Sequence, residues 1–324
     1  MTLKNILICE RFSIEALMQL KQNKSFNVET YTEEKLNTAN ALIIRSKFKI
    51  TTELLNKCPN LELVVTCTSG YDHIHLEETQ KRNITVMYTP DANVVATAEL
   101  AWTLIMNANR KITDANKLTK QGTWNREPFM SNELAYKTLG IIGLGRIGSR
   151  VAKMAKAFDM NVVAFDPYLP NEESFSKVGA MRASYEEVLR QADIISFHVP
   201  LTKETKNMFN RSHSEYITPE TILINTSRGG VVNEEDLVTQ LNNKEIAYAA
   251  LDVFAKEPLT KDSKLFKTQN LILTPHLGAY TEQAFLKASL EAANRTQNYF
   301  ENKSTQNTLP LQNDWSTMSF TERT

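Results

Sequence analysis

The sequence has no excess of charge of either sign, few cysteines and no long apolar run, and each absence narrows its possible functions. Basic residues (Lys and Arg) and acidic residues (Asp and Glu) both number 37 among 324 residues, so the formal net charge is zero. A chain without a basic field is poorly suited to bind nucleic acid or an anionic membrane surface. We therefore expect neither as a partner.

Membrane insertion and metal binding find equally little support. No apolar stretch approaches the ~20 residues that a membrane-spanning helix needs. The N-terminal MTLKNILICE has a short apolar run that an acid follows at once, which predicts a first β-strand and no secretory signal. The cysteines Cys9, Cys58 and Cys67 lack the C-x-x-C spacing of metal and redox sites. We expect free, buried thiols, no metal and a cytoplasmic protein.

What the sequence has is an alternation of short apolar runs with amphipathic stretches. This pattern predicts parallel β-sheets that helices cover on both faces. Two groups of predicted strands flank a long helical pattern that begins at Ala96 and continues to about Lys120. The strands are predicted at 5–9, 41–44, 63–66 and 85–88, and then at 139–142, 162–165, 194–198, 222–225, 248–251 and 271–274.

Helical patterns complete the predicted organisation. They cover 147–158, 185–191 and 234–242, and a long helix at 281–300 would carry the chain back to the first domain. A length of 324 residues suits two domains of roughly 150 residues each. The tail from Glu301 has few apolar residues, so it is predicted to be irregular.

A glycine-rich segment predicts a dinucleotide site. In LGIIGLGRIG, Gly143, Gly145 and Gly148 form G-x-G-x-x-G between a predicted strand and a helix, and the next strand is followed by Asp166. Such glycines permit a tight turn, a close approach to a pyrophosphate, and close packing of helix on strand. An acid in this position accepts a hydrogen bond from a ribose 2′-hydroxyl and repels a 2′-phosphate. Because the next arginine is only at Arg182, the segment predicts NAD and not NADP.

A histidine and a carboxylate form a candidate acid–base pair. His276 follows an apolar run and a proline, and LDVFAKEP supplies Glu257. Histidine titrates near neutral pH, and a carboxylate bonded to its ring raises its pKa and fixes its tautomer. From these residues alone, a histidine with a purely structural role remains the alternative.

Five segments, in this order and spacing, resemble the D-isomer-specific 2-hydroxyacid dehydrogenases: GIIGLGRIG, FHVPLTKET, INTSRGGVVNEEDL, LDVFAKEP and TPHLGAYT. The resemblance covers residues from about 40 to 300. It implies an α/β protein with two Rossmann-like, doubly wound parallel-sheet domains, the active site lying in the cleft between them. The cofactor domain, at 102–286, would be inserted in the substrate domain, at 1–101 and 287–324.

The resemblance also implies a reaction and its catalytic residues. Arg228 would bind the substrate carboxylate and polarise the keto group, His276 would donate the proton, and Glu257 would orient His276. The reaction is a hydride transfer that interconverts a D-2-hydroxy acid and its 2-keto acid, with NAD as the redox partner. Implied cofactor contacts are Gly143, Gly145, Arg146, Ile147, Gly148, Asp166, Pro200, Thr226, Ser227, Asp252, Gly278 and Ala279.

Two segments of the first domain bear on the substrate. CTSGYDHIH resembles the substrate loop of the family, in which the N–H groups of Ser69, Gly70 and Tyr71 would bind the substrate carboxylate. A plain strand-to-helix turn is the alternative. IIRSKFKIT resembles a segment of phosphoglycerate dehydrogenases whose basic side chains reach a substrate phosphate. Arg45 and Lys47 would share one face of an extended chain, unless they form a solvated surface pair.

We therefore expect 3-phosphoglycerate and 3-phosphohydroxypyruvate as the substrate pair. Tyr280, where phosphoglycerate dehydrogenases usually have a small residue, and the CTSGYDH segment keep erythronate-4-phosphate dehydrogenase open as an alternative. A hydroxypyruvate, glyoxylate or D-lactate-type reductase is another. The alternative from a different class is a catalytically idle dinucleotide sensor or corepressor of the same fold.

The resemblance also bears on assembly and regulation. The long helix at 96–120 and the arm that follows it correspond to the surfaces through which the family pairs, so we expect a homodimer. The residues after 300 are too few for a C-terminal regulatory domain, so feedback through such a domain is not expected.

Overall fold

The computed structural model describes residues 3–169 and 171–309, which form two compact units. Unit 1 contains the described residues up to Val94 and those from Ala279 onward, and unit 2 is Val95–Gly278. Both junctions lie earlier in the chain than the predicted ones, which were placed after residues 101 and 286.

Every predicted strand is present to within one residue at each end. The strands are β1 (Lys4–Ile8), β2 (Phe26–Thr30), β3 (Ala41–Ile44), β4 (Leu63–Thr66), β5 (Thr85–Tyr88), β6 (Thr138–Ile142), β7 (Asn161–Phe165), β8 (Met181–Arg182), β9 (Ile194–Phe197), β10 (Ile222–Asn225), β11 (Tyr248–Leu251), β12 (Leu271–Leu273) and β13 (Thr308–Leu309). The α-helices are α1 (Ile14–Gln22), α2 (Thr52–Asn56), α3 (Leu76–Lys81), α4 (Val94–Arg110), α5 (Ile112–Lys120), α6 (Arg146–Ala157), α7 (Glu172–Ser176), α8 (Tyr185–Gln191), α9 (Glu234–Asn242) and α10 (Glu282–Asn302).

The sheet of unit 1 has the strand order β13-β5-β4-β3-β1-β2. All its pairs are parallel except that of β13 with β5. From β1 the chain first moves outward to β2 and then crosses to β3 on the other side. The carboxyl ends of β1 and β3 therefore flank a topological switch point, which is where doubly wound sheets bind ligands.

The sheet of unit 2 is parallel throughout, with the order β12-β11-β10-β9-β6-β7-β8. Its switch point lies between β6 and β9, and the glycine segment begins where β6 ends. The predicted fold class, two doubly wound parallel sheets with helices, is confirmed.

Burial on both faces explains why the strands are apolar without interruption. In unit 1, Ile43 packs in one cluster with Ala288 and Ala292 of α10, whereas its neighbour Ile44 packs on the opposite face with Leu55 of α2. In unit 2, consecutive residues of β6 likewise enter separate cores, one against α6 and the other against α8. Strands covered on both sides have no polar face, so their sequences do not alternate.

The single helix predicted from Ala96 to Lys120 is in fact two helices. Lys111 adopts a left-handed conformation with φ of 51°, which ends α4 and starts α5. The side chain of Asn107 stabilises the break because its Oδ1 accepts a hydrogen bond from the Thr113 N–H at 3.0 Å. α4 belongs with unit 2, where its buried residues join the core of that unit.

The prediction of an irregular tail from Glu301 is partly wrong. α10 continues to Asn302, and β13 then pairs with β5, so that Thr308 lies opposite Met87. The remainder of that tail, 310–324, lies outside the described residues. Strands β2, β8 and β13 were not predicted, because two of them have only two residues and β2 carries little apolar sequence.

The three cysteines are free, as predicted. Burial raises the pKa of the Cys67 thiol to about 12, so this thiol stays protonated and unreactive near neutral pH. No helix in the described ranges is long and apolar enough to cross a membrane.

Candidate active site

The three glycines of the G-x-G-x-x-G segment have different surroundings. Gly143 has φ of +94°, and a β-carbon there would lie 2.8 Å from the carbonyl oxygen of His198. A β-carbon at Gly148 would lie 2.1 Å from the carbonyl oxygen of Gly143. Both positions therefore exclude larger residues. Gly145 differs, since a β-carbon there would have nothing of the described chain within 4 Å, and this leaves space for a ligand.

That open space lies at the beginning of α6. Gly145 is the N-cap residue, and as a glycine it has no side chain that could cap the first turn of α6. Together with the helix dipole, free N–H groups form an anion site. Arg146 is exposed in the first turn, whereas Ile147 packs against the core below.

Asp166 follows β7, close to this turn. Its Oδ2 accepts a hydrogen bond from the Leu144 N–H and its Oδ1 one from the Tyr168 N–H, both at 2.9 Å. Burial raises the pKa of Asp166 above its usual value, while these hydrogen bonds oppose the rise. A carboxylate held in this way can still accept a hydrogen bond from a ribose hydroxyl.

One step of the cofactor prediction is corrected. Arg182 is distant from Asp166 in the sequence, but β8 pairs beside β7 and brings both residues to the lining of one pocket of about 330 Å³. The nearest carboxylate oxygen to Arg182, on Glu172, is 4.0 Å away. The expected preference for NAD therefore depends on the Asp166 carboxylate alone, and not on the absence of a nearby arginine.

Residues at the ends of β9 and β10 were also expected to contact the cofactor. The Thr226 hydroxyl is buried and, among the residues described, has no hydrogen-bond partner. Buried hydroxyls are nearly always bonded, so this one fits a missing ligand group. Ser227 donates to Asn225, and the carbonyl oxygen of Pro200 accepts the Thr205 hydroxyl at 2.6 Å. The N-terminus of α6, the open space at Gly145 and the Thr226 hydroxyl together fit a dinucleotide.

Arg228 lies in the turn after β10, and the buried side chain of Asn225 stabilises this turn. Asn225 Oδ1 accepts hydrogen bonds from the N–H (3.0 Å) and hydroxyl (2.8 Å) of Ser227, and its Nδ2 donates to the Arg228 carbonyl oxygen (2.9 Å). The Arg228 guanidinium is half-buried, and its Nη1 donates to the Ser227 carbonyl oxygen at 2.8 Å. The prediction missed Asn225, although a polar residue that ends an apolar strand was a usable signal.

The two glycines after Arg228 are not equivalent. A β-carbon at Gly229 would lie 1.8 Å from the carbonyl carbon of Phe254 and 2.3 Å from the backbone nitrogen of Ala255. A β-carbon at Gly230 would meet only the side chain of Leu201, at 3.1 Å. The backbone at Gly229 is therefore packed directly against residues 254 and 255, which precede Glu257 in the chain.

His276 and Glu257 form the predicted pair. Nδ1 of His276 is 2.7 Å from Oε2 of Glu257, and Oε1 of Glu257 accepts the Phe254 N–H at 3.0 Å. The hydrogen bond to Glu257 raises the pKa of His276, and burial and the Arg228 charge oppose it. Burial would raise the pKa of Glu257, but the bonds from His276 and Phe254 and the nearby positive charges outweigh it, so that pKa is lowered. The His276 side chain is 46% exposed and thus accessible to a ligand.

Asp252 holds the segment that carries His276. Its Oδ1 accepts hydrogen bonds from the Thr274 hydroxyl (2.6 Å) and the Leu277 N–H (2.7 Å), and its Oδ2 accepts the Gly278 N–H (2.9 Å). Burial raises the pKa of Asp252, and these bonds oppose the rise. Asp252 has no exposed surface and holds the loop through these bonds, and its implied contact with the cofactor stays a prediction. His276 has φ of 55°, a backbone conformation that such bonds help to hold.

Each of the other four histidines contacts a hydroxyl or a backbone group. His73 contacts the Thr66 hydroxyl, His75 that of Thr52, His198 that of Ser196, and His213 the backbone of Asn210. Burial lowers the pKa of His198 to about 4, which makes it neutral at physiological pH.

In unit 1, the loop after β4 offers two of the three backbone N–H groups that were expected to bind the substrate carboxylate. The Ser69 hydroxyl donates to Oδ1 of Asn93 at 2.5 Å and to the Pro90 carbonyl oxygen at 3.2 Å. The backbone N–H groups of Ser69 and Gly70 have no acceptor among residues 3–169 and 171–309. The Tyr71 ring packs edge-on against another ring, so it is not directed freely into solvent.

The expected alignment of Arg45 and Lys47 is wrong. Oε2 of Glu10 accepts hydrogen bonds from the backbone N–H of Arg45 (2.6 Å) and of Phe48 (3.0 Å), which bends the chain into a turn directly after β3. The alternation of an extended strand therefore does not apply. Lys47 is exposed, whereas Arg45 Cζ lies over the ring of Phe285, 4.9 Å from its centroid.

Comparisons with known proteins agree with this geometry. Residues 102–278 match the profile described as "D-isomer specific 2-hydroxyacid dehydrogenase, NAD binding domain". The chain is 39% identical over 292 residues to D-3-phosphoglycerate dehydrogenase of Bacillus subtilis (strain 168), covering 89% of this chain and 55% of that protein. It is also 39% identical over 258 residues to glyoxylate reductase of Thermococcus litoralis, covering 78% and 77% of the two chains.

Among solved structures, D-lactate dehydrogenase from Aquifex aeolicus, complexed with NAD and lactic acid, superposes with a TM-score of 0.84 at 27% identity. The match covers 94% of this chain and 99% of that one. The chain spans about half the length of the phosphoglycerate dehydrogenases that it matches.

Proposed function

Because the chain belongs to the D-isomer-specific 2-hydroxyacid dehydrogenase family, we propose that it interconverts a D-2-hydroxy acid and its 2-keto acid with NAD. The observation that carries this proposal is the 2.7 Å contact between His276 and Glu257, in a site where the charge of Arg228 acts on both groups. A sensor without activity has no need of a histidine whose pKa a carboxylate raises.

The protein residues place charge and move one proton. The Arg228 fork binds the substrate carboxylate and the keto oxygen, which makes the keto carbon more electrophilic. Protonated His276 donates from Nε2 to that oxygen as negative charge develops there, while Glu257 keeps Nδ1 bonded and holds the ring. In the reverse direction neutral His276 accepts the proton of the hydroxyl group. NADH, when bound, supplies the hydride.

The residues that would hold NAD follow from the same geometry. The N-terminus of α6 would bind the pyrophosphate and Asp166 a ribose hydroxyl. Thr226 would supply a hydrogen bond to the cofactor from its buried hydroxyl. Gly278, whose N–H is bonded to Asp252, and Ala279 beside it would act through the loop backbone.

For the substrate we propose the pair 3-phosphoglycerate and 3-phosphohydroxypyruvate. Four phosphoglycerate dehydrogenases that match this chain are 36–39% identical to it, which supports the choice. The basic side chain of Arg45, directly after β3, also supports a phosphorylated substrate. The relative named glyoxylate reductase favours the second candidate, a reductase of small 2-keto acids without phosphate.

The test compares NADH oxidation with 3-phosphohydroxypyruvate and with hydroxypyruvate, which differ only in the phosphate. We expect kcat/KM to favour the phosphorylated substrate by about a hundredfold, or about 2.7 kcal/mol of transition-state binding. Equal values, or a preference for hydroxypyruvate or glyoxylate, would support the second candidate. Turnover of none of these compounds would contradict the proposed substrate class.

We also propose that the protein forms a homodimer through α5 and the segment after it. α5 has no buried residue, and Trp124, Met130 and Tyr136 are 92%, 80% and 83% exposed. Large apolar side chains exposed along one segment suggest a surface that a second copy covers. Light scattering at micromolar concentration should give twice the monomer mass, and Trp124→Ser combined with Met130→Ser should lower it. A wild-type monomer would contradict this proposal.

A further inference from the structure

A second carboxylate of unit 2, that of Glu234, lies close to the acid–base pair and has no part in the chemistry proposed so far. Glu234 is the first residue of α9, and it is partly buried. Its Oε1 accepts a hydrogen bond from the backbone N–H of Ala255 at 2.5 Å. Because Ala255 lies just before Glu257 in the chain, this bond connects α9 to the loop that carries the partner of His276.

The loop at 253–259, which follows β11, has few other attachments. Phe254 near its start and Leu259 at its end pack in the core, but residues 255–258 are exposed, so packing does little to fix them. Among the described residues, no backbone–backbone hydrogen bond forms at 253–259. The Phe254 N–H binds Glu257 of the same loop. The bond to α9 therefore supplies a fixed point in a segment that would otherwise move easily.

The surroundings of Glu234 and Glu257 affect their ionisation in opposite directions. Burial and the charge of Glu257 raise the pKa of Glu234, and the bond from the Ala255 N–H opposes the rise. The pKa of Glu257 is lowered, because the bonds from His276 and Phe254 outweigh its burial. Neighbouring carboxylates whose pKa values are shifted apart have different roles. The negative charge is favoured on Glu257, whereas Glu234 needs only an oxygen that accepts the Ala255 N–H.

We propose that Glu234 is a positioning residue, which holds the loop through Ala255 so that the Glu257 carboxylate stays within hydrogen-bond distance of His276. The proposal rests on the proposed dehydrogenase function, in which His276 is the proton donor. Glu234 acts through its hydrogen bond to the backbone, and its charge is not required. It touches neither the substrate nor the cofactor.

The experiment separates the hydrogen bond of Glu234 from its charge. Glu234→Ala removes both, whereas Glu234→Gln keeps an oxygen that can accept the Ala255 N–H. Glu235→Ala is the matched control, because Glu235 is an exposed acid in the same first turn and has the same interaction with the helix dipole. Asn233 caps α9 by accepting the N–H groups of Glu235 and Asp236, both at 3.1 Å, so all three variants should fold. The melting temperature checks this.

We expect Glu234→Ala to lower kcat for keto-acid reduction by about tenfold, while KM for NADH changes by less than about twofold. Because Glu257 is less well placed in this variant, the pKa of His276 should decrease. The pH at which reduction is lost should therefore decrease by about half a unit or more. For Glu234→Gln and Glu235→Ala, we expect kcat within about twofold of wild type and an unshifted pH profile.

The pH profile distinguishes positioning from a purely structural role. Asp252 and Arg228, the other charged groups that act on His276, are unchanged in every variant. A shift in Glu234→Ala must then come through Glu257. An unshifted profile in Glu234→Ala would overturn the proposal, even if activity falls. An equal shift in Glu234→Gln would also overturn it, since the charge would then be responsible, and so would an equal shift in the control.

An NMR titration distinguishes failure of this proposal from failure of the proposed function. The ring C–H signals of the histidines report their pKa values without turnover, and the signal that is absent from His276→Asn belongs to His276. If no keto acid is turned over but the pKa of His276 decreases in Glu234→Ala and not in Glu234→Gln, the proposed function fails and the positioning role stands. If His276 titrates identically in wild type and in all three glutamate variants, the positioning role is refuted.

Discussion

Gly229→Ala is expected to lower kcat/KM by at least about a hundredfold, because it misplaces the catalytic residues by about an ångström. A β-carbon at position 229 would lie 1.8 Å from the carbonyl carbon of Phe254, far inside van der Waals contact. The backbone at 254–255 must then move. The Phe254 N–H binds Glu257, and Glu257 binds His276, so the displacement passes directly to the acid–base pair.

Gly230→Ala is the matched control for this prediction. A β-carbon there meets only the side chain of Leu201, at 3.1 Å, and a side chain can rotate away. We expect kcat/KM within about fivefold of wild type for this variant. Both proteins should still bind NADH, because the first turn of α6 is separate from the altered backbone. The change in NADH fluorescence on binding measures this. Near-wild-type activity in Gly229→Ala would show that the 254–255 backbone does not position Glu257.

The parts of the fold that the sequence predicted are those that burial determines locally. β3, β4 and β10 are apolar throughout because both of their faces are covered, and their predicted bounds match the structure. The glycine segment was equally informative. Gly148 responds to a constraint inside the segment itself, because a β-carbon there would lie 2.1 Å from the Gly143 carbonyl oxygen.

The parts that the sequence did not predict depend on contacts between distant residues. Glu10 bends the chain at Arg45 through two hydrogen bonds, and nothing in the local sequence IIRSKFKIT indicates this turn. Strand pairing likewise brings Arg182 to the Asp166 pocket. The break at Lys111 has no proline or glycine to mark it.

The catalytic residues are an intermediate case. The resemblance supplied the three side chains, but not the groups that hold them. Asn225 under Arg228 and Asp252 under the His276 loop are buried polar residues at strand ends, and each satisfies several backbone donors or hydroxyls. Their function is visible only when the tertiary contacts are known.

The second large effect concerns the proton donor. His276→Asn removes the acid–base group, and we expect kcat for keto-acid reduction to fall by about 10²–10⁴-fold. Since the pKa of His276 is raised, with Glu257 as the first cause, the wild-type rate of reduction should fall only as pH rises through that raised value. Oxidation of the hydroxy acid needs the neutral ring, so its rate should fall as pH decreases through the same pKa.

Glu257→Gln tests this cause directly. The amide keeps the size of the side chain but removes the negative charge that favours the imidazolium, so the pKa of His276 must decrease. The pH at which reduction is lost should then move to lower values, whereas oxidation should remain active at lower pH than in wild type. Profiles of kcat/KM against pH, recorded in both directions, measure the shift, and in His276→Asn the same limb should be absent. If the limb stays in place in Glu257→Gln but disappears in His276→Asn, another group sets the His276 pKa. If it persists in His276→Asn, the titrating group is not His276.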